Sequence, residues 1–123
     1  MGYLIVFLGG GVGAALRHGS NLAVARMLGT AFPYGTLAVN VLGSLLMGTL
    51  FVLLVERITS DGVWRAAILV GVLGGFTTFS AFSIETFNLI EEGAVLKALL
   101  NISLSLVLCV GATWAGVVLG RQL

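Results

Sequence analysis

Residues 71–85 read GVLGGFTTFSAFSIE, a segment that is apolar enough to lie in a membrane but poorly suited to a continuous helix. Gly74 and Gly75 are adjacent and Thr77 and Thr78 are β-branched, so both pairs disfavour regular helical backbone. Non-helical backbone at membrane depth is tolerated only where protein buries it or where it lines a watery cavity. The segment therefore predicts a discontinuous membrane helix with an ion or substrate site. A straight helix whose small residues serve packing is the alternative.

The composition of the whole chain indicates that lipid is its solvent. Of 123 residues, 59% are apolar and 9% are charged, whereas soluble proteins carry about 25% charged residues. The high apolar content also excludes disorder. A net charge of +1 provides no basic stripe to neutralise phosphates, so we expect no nucleic-acid partner. The single cysteine, Cys109, forms neither a disulfide framework nor a metal cluster.

Four apolar runs reach the roughly 20 residues that a helix needs to cross a bilayer. They lie at residues 3–27, 36–55, 63–90 and 95–120, and short connections such as Gly29–Tyr34 and Glu56–Gly62 join them. Arg17 and His18 interrupt the first run, which has no basic residue before it and is therefore read as a retained span, not a signal peptide. The sequence predicts an all-α membrane protein: one domain over residues 1–123, with four transmembrane helices, the third broken at mid-membrane.

The positive charges are balanced between the two membrane sides that this topology defines. Three cationic residues fall on the side of the termini and three on the opposite side: Arg57, Arg65 and Arg121 against Arg17, Arg26 and Lys97. An excess of Lys and Arg on one side normally fixes orientation, so the balance favours dual topology with two copies paired antiparallel. Short loops with too few charges to count are the alternative interpretation.

Polar and aromatic residues within the apolar runs suggest a path for an anion. Phe76, Phe79 and Phe82 recur every three residues, with Ser80 among them. Aromatic rings have a positive edge, so phenylalanines can receive an anion without charged ligands. Asn40 lies in the uncharged second run, and its amide supplies two N–H donors. An interhelical hydrogen bond is the simpler role for Asn40.

Three segments carry a resemblance to a known family. GGFTTFSAFSIE at residues 74–85, GTLAVN at 35–40 and GAALR at 13–17 resemble the Fluc (CrcB-type) fluoride channels, and the match extends over essentially the whole chain. The resemblance implies a dual-topology homodimer of four-helix subunits in the plasma membrane of a microbe. Two antiparallel pores would pass fluoride down its electrochemical gradient and lower cytoplasmic fluoride.

The resemblance also implies roles for individual residues. The residues implied for the fluoride pore are Asn40, Thr78, Phe79, Ser80, Phe82, Glu85 and Ser105. Arg17 is implied to lie near the aqueous vestibule, with snorkelling to the interface as the alternative. The backbone carbonyls of Gly74 and Thr77 from both subunits are implied to hold a structural Na⁺ on the two-fold axis, and hard cations do favour oxygen ligands.

Two aspects of the resemblance leave questions for the structure. Asn101 and Cys109 depart from the family pattern, in which tyrosine and serine can occupy these positions. Asn101, Ser105 and Cys109 are four residues apart and so share one helix face. The Glu85 carboxylate should repel fluoride unless it is protonated or accepts hydrogen bonds elsewhere.

Other functions are weighed against the channel. A small dual-topology proton-coupled transporter is the main alternative, but the first run lacks the embedded acid that serves as a proton relay. A passive membrane scaffold is favoured only if the polar residues serve helix packing. No nucleophile with a base, metal cluster or cofactor motif is visible in the sequence, so we do not expect an enzyme.

Overall fold

The computed structural model describes residues 1–58 and 62–123, and these residues form helices joined by short connections. The α-helices are α1 (Gly2–Leu28), α2 (Tyr34–Phe51), α3 (Gly62–Arg65), α4 (Gly74–Phe76), α5 (Phe79–Glu91) and α6 (Val95–Gln122). Wider π-helical turns extend α2 over Val52–Arg57 and join α3 to α4 over Ala66–Leu73. The predicted all-helical class is confirmed.

Among the described residues, three helical stretches are long and apolar enough to cross a membrane: Tyr34–Arg57, Gly62–Glu91 and Val95–Gln122. Helix α1 has 27 residues but is not among the three, because Arg17, His18 and several glycines dilute its apolar run. The first of the four predicted spans therefore remains a prediction. The predicted connection Glu56–Gly62 includes residues 59–61, which lie outside the described residues.

Large apolar side chains cover the outside of the helices. Phe7, Val107 and Trp114 are each 70% exposed or more. Water disfavours an apolar surface of this extent, whereas lipid solvates it. The few completely buried side chains lie between helices and include Val39, Val52 and Asn101. Exposed apolar side chains outside and few buried side chains between helices are typical of a membrane protein.

Glycines set the distance between α2 and α6, which pack along each other. A side chain at Gly48 would collide with the Thr113 carbonyl of α6, and a side chain at Gly116 would collide with the Leu45 carbonyl of α2. Each helix thus presents a glycine to the backbone of the other. Because packing, not hydrophobic force, associates helices in lipid, such close approach is a main source of stability.

Helix α1 uses the same device against the Ala66–Leu73 segment and α4. A Cβ atom at Gly13 would overlap the Val72 carbonyl and lie 2.8 Å from the Phe76 nitrogen. A Cβ atom at Gly75 would lie 2.6 Å from the Gly10 carbonyl oxygen. These contacts hold the helix that ends at Phe76 in a fixed position, and the predicted pore residues Thr78 and Phe79 follow shortly after it.

We predict that Gly13→Ala destabilises the protein because the added methyl group meets backbone that cannot move aside. Overpacking of this kind costs about 1–3 kcal/mol. Gly11→Ala is the matched control, since a Cβ atom at Gly11 has no neighbour within 4 Å. Thermal unfolding in detergent should show a lower Tm for Gly13→Ala alone. Equal Tm values for the two variants would contradict the proposed close packing.

Candidate functional site

The helix running from Gly62 toward Glu91 is interrupted at Thr77 and Thr78. Helix α4 ends at Phe76 and α5 begins at Phe79, and the two threonines between them have extended backbone, with ψ values of 159° and 122°. In an α-helix each N–H donates to the carbonyl four residues earlier. The interruption redirects two of these N–H groups and so changes which carbonyls they satisfy.

The first redirected group is the Thr78 N–H. A continuous helix would direct it to the Gly74 carbonyl, but it donates to Asn40 Oδ1 at 2.8 Å. The second is the Ala81 N–H, which donates to Thr78 Oγ1 at 3.2 Å instead of to the Thr77 carbonyl. The carbonyls of Gly74 and Thr77 therefore lose the donors that a continuous helix would supply.

Asn40 stabilises the extended backbone from the neighbouring helix α2. Its Nδ2 donates to the Thr78 carbonyl at 2.9 Å while its Oδ1 accepts from the Thr78 N–H. One side-chain amide thus pairs with both backbone groups of a buried residue. The Thr78 N–H has no partner within the helix and would otherwise carry a penalty for burial, whereas the Thr78 carbonyl, at the N-cap of α5, also accepts the first helical bond. Since Nδ2 has two hydrogens, one N–H remains for a further acceptor.

The first turn of α5 presents several further donors. Thr78 Oγ1 lies 3.3 Å from Ser80 Oγ, so the structure brings together these two predicted pore residues. The first N–H groups of a helix have no acceptor within the helix and give that end a partial positive charge. Hydroxyls and free amides are therefore concentrated where the helix restarts.

A groove of about 290 Å³ runs along this region between α2 and α6, and we call it the central groove. Its lining includes most of the predicted site residues: Asn40, Thr77, Thr78, Phe79, Phe82 and Ser105. The Phe79 and Phe82 rings lie 5.3 Å apart and are inclined at 46°. Phe79 is 75% exposed. The central groove thus combines hydrogen-bond donors with two adjacent aromatic rings.

Helix α6 contributes a polar face to the central groove. Ser105 and Cys109 line it, and so does Thr113, whose hydroxyl donates to the Ser44 carbonyl of α2 at 3.3 Å. Sequence reasoning missed Thr113, although it continues the four-residue spacing of Ser105 and Cys109. Asn101 shares the spacing but points elsewhere, since its Nδ2 donates to Thr86 Oγ1 at 2.9 Å.

Glu85 lies in a different cavity from the predicted pore phenylalanines. Its Oε1 accepts a hydrogen bond from Thr36 Oγ1 at 2.8 Å. Together with Asn88 and Lys97 it lines a second cavity of about 440 Å³. Sequence reasoning missed Thr36 as a partner, although Thr36 is one helical turn before Asn40. Because Oε1 accepts this hydrogen bond, only the other carboxylate oxygen of Glu85 would be free to face an anion.

Three predicted residues, Arg17, Gly74 and Ser80, lie outside the lining of both cavities as the structure describes them. Arg17 on α1 is partly exposed, and the lining of the two described cavities does not include it. Gly74 is exposed on the surface of the chain and likewise falls outside that lining. Its carbonyl is therefore open to groups outside the chain.

Apolar helices that surround a groove lined by hydrogen-bond donors are typical of a multi-pass membrane protein. Comparisons with known proteins identify its family. Residues 4–117 match the family described as CrcB-like protein, Camphor Resistance (CrcB). The chain belongs to this family, which confirms the predicted resemblance. The match covers the helices, the interruption and the central groove.

Relatives with similar sequences carry a more specific name. The chain is 51% identical to a protein of Coxiella burnetii over the full length of both, 50% identical to one of Magnetococcus marinus over 94% of each, and 40% identical to one of Sulfurihydrogenibium sp. over 98% of each. All three are named fluoride-specific ion channel FluC. The family is one of ion channels, so the chain is not an enzyme but a multi-pass protein of the bacterial plasma membrane.

We predict that Asn40→Asp destabilises the interruption. An ionised carboxylate cannot donate to the Thr78 carbonyl, so two acceptors would face each other in a partly buried site. Loss of such a bond costs about 1–3 kcal/mol. Asn88→Asp is the matched control because Asn88 is exposed. Thermal unfolding in detergent should show a lower Tm for Asn40→Asp than for the control. Equal Tm values in the two variants would refute the role of Asn40.

Proposed function

We propose that this chain is a fluoride-selective passive channel that exports fluoride down its electrochemical gradient and so lowers cytoplasmic fluoride. The observation that carries the proposal is the central groove, where a side-chain amide, hydroxyls and two phenylalanine rings converge on the helix interruption. The name of the full-length relative from Coxiella burnetii supports the choice of ion.

Hydrogen-bond donors in the central groove can replace the water around a small anion. Fluoride is strongly hydrated, so a selective pore must offer closely spaced donors in place of that water. The second Nδ2 hydrogen of Asn40 and the buried Ser105 hydroxyl are available donors in the groove. Thr78 and Ser80 share one hydrogen bond at the start of α5, so this pair leaves one hydroxyl proton for the anion. The N-terminal end of α5 adds a favourable potential for negative charge.

The two phenylalanines supply weak anion ligands where a charged ligand would hold fluoride too tightly. A phenylalanine ring carries partial positive charge at its edge. The Phe79 and Phe82 rings are inclined at 46°, so they are not stacked face to face. Conduction needs binding that is favourable enough for entry and weak enough for release. Aromatic edges beside neutral donors meet both conditions.

Charged residues would act at the ends of the path. Arg17 would raise the local concentration of anions by its positive charge near the vestibule. Glu85 would help to move the ion between the second cavity and the central groove, with Thr36 holding one of its oxygens away from the anion.

We further propose a dual-topology homodimer, with two antiparallel pores and a structural Na⁺ on its two-fold axis. The carbonyls of Gly74 and Thr77 lack the donors of a continuous helix, and Gly74 is exposed. Two copies would bring four such carbonyls together, and oxygen ligands suit a hard cation. The cation would neutralise the converging carbonyl dipoles. The exposure of Phe79 and the balanced charges support covering of this face by a second copy.

Fluoride release from liposomes that contain the purified protein tests the function. We expect fast fluoride release with little chloride release and no imposed proton gradient. Phe79→Ile and Phe82→Ile should each reduce fluoride release at least about tenfold, because each removes an aromatic edge that would contact the ion. A tenfold change in rate corresponds to about 1.4 kcal/mol in the barrier. Phe87→Ile is the matched control, since Phe87 is exposed and on the same helix.

The outcomes separate the competing functions. Release that requires a proton gradient would favour a proton-coupled transporter. The absence of release from folded protein would favour a passive scaffold. Equal fluoride release from Phe79→Ile, Phe82→Ile and the control would overturn the assignment of the two rings.

Replacement of Na⁺ tests the cation. We predict that exchange of NaCl for N-methylglucamine chloride at equal ionic strength lowers the Tm of the assembled protein, because four carbonyls would converge without a cation to neutralise them. A ligand that binds only the folded state stabilises it by about 2.7 kcal/mol at 100 times its Kd. Identical Tm values in the two salts would contradict the Na⁺ site.

A further inference from the structure

A chain of two hydrogen bonds connects α6 to the turn of α5 that carries Phe82. Asn101 on α6 is 2% exposed, and its Nδ2 donates to Thr86 Oγ1 at 2.9 Å. The Thr86 hydroxyl in turn donates to the Phe82 carbonyl at 2.7 Å. Within the described residues, Asn101–Thr86 is the side-chain hydrogen bond that joins these two helices.

The direction of the chain follows from the chemistry of its members. A backbone carbonyl accepts hydrogen bonds, so the one hydroxyl proton of Thr86 is committed to Phe82. The Thr86 oxygen is then an acceptor, which requires the N–H₂ side of the Asn101 amide to face it. All three groups are satisfied in this arrangement. A leucine at position 101 could fill similar space but could not donate.

The connection lies next to the central groove without being part of its lining. Phe82 and Ser105 line the groove from α5 and α6, and Ser105 is one turn beyond Asn101. Asn101 and Thr86 are buried and are not among the described lining residues. Threonine hydroxyls that bond to the carbonyl four residues earlier also tend to bend helices. These two hydrogen bonds can therefore affect an ion in the groove only through the position of Phe82.

We propose that Asn101 is a positioning residue for conduction: through the Thr86 hydroxyl it holds the Phe82 turn of α5 against α6 and sets the distance between the Phe82 ring and Ser105. This inference rests on the proposed fluoride channel. It gives Asn101 a role in this molecule, since the Thr86 oxygen requires a donor of this reach and size.

Three variants test the inference. Thr86→Val keeps the shape of residue 86 but removes both hydrogen bonds, Asn101→Leu removes the donor, and Thr86→Ser keeps the hydroxyl as the conservative rescue. We expect Thr86→Val and Asn101→Leu to lower fluoride release per folded channel by about fivefold to tenfold, the effect of roughly one hydrogen bond. Thr86→Ser should stay within about twofold. The double variant should lose no more than the larger single loss, because both changes break one connection.

A spectroscopic measurement distinguishes a positioning role of Asn101 from a purely stabilising role. With 4-fluorophenylalanine at position 82, the fluorine-19 resonance should shift in Thr86→Val and Asn101→Leu but not in Thr86→Ser. A lower Tm with unchanged release and an unchanged resonance would overturn the inference and leave Asn101 a stability residue. A shifted resonance with unchanged release would also overturn it. A parent protein that releases no fluoride would instead refute the proposed function, and the role in conduction with it.

Discussion

The pairing of the Asn40 amide with both backbone groups of Thr78 is the interaction on which the rest of the site depends. A chain that leaves the helical conformation inside lipid exposes an N–H and a carbonyl that no solvent can satisfy. Asn40 satisfies both at 2.8 and 2.9 Å from a neighbouring helix. Because the two extended residues are stabilised in this way, α5 can restart with its own N-terminus, and the donors of that terminus lie within the protein.

Close helix packing supports this interaction from both sides. Gly13 and Gly75 allow α1 and the helix ending at Phe76 to touch through their backbones, so the position at which the helix ends is fixed. Gly48 and Gly116 do the same for α2 and α6, which form the walls of the central groove. Small residues thus serve function indirectly. They fix the distances over which an amide and a few hydroxyls can reach a common point.

The sequence was sufficient for the all-helical class of fold, because composition and local backbone preference are visible in it. The apolar content predicted membrane helices, and the β-branched Thr77 and Thr78 are the residues with extended backbone. The adjacent Gly74 and Gly75, which the sequence also marked as unfavourable for helix, are helical in α4 because their close packing needs no side chain. Hydrogen-bond partners on different helices were harder to predict from the sequence. The bond of Thr36 to Glu85 and that of Asn101 to Thr86 depend on the rotation and depth of each helix. Glycine contacts set these quantities collectively, and no local pattern encodes them. The separation of Glu85 from the central groove was missed for the same reason.

The regular spacing of Ser105, Cys109 and Thr113 on α6 has a consequence for the motion of an ion. At 1.5 Å per residue, groups four residues apart are about 6 Å apart along the helix, which is twice a typical hydrogen-bond length of about 3 Å. An anion halfway between Ser105 and Cys109 would therefore contact both. Thr113 already donates its one hydroxyl proton to the Ser44 carbonyl, so this face would offer an anion only the Ser105 hydroxyl and the weakly donating Cys109 thiol. In the proposed channel, such sparse and weak contacts would favour rapid transit over tight retention.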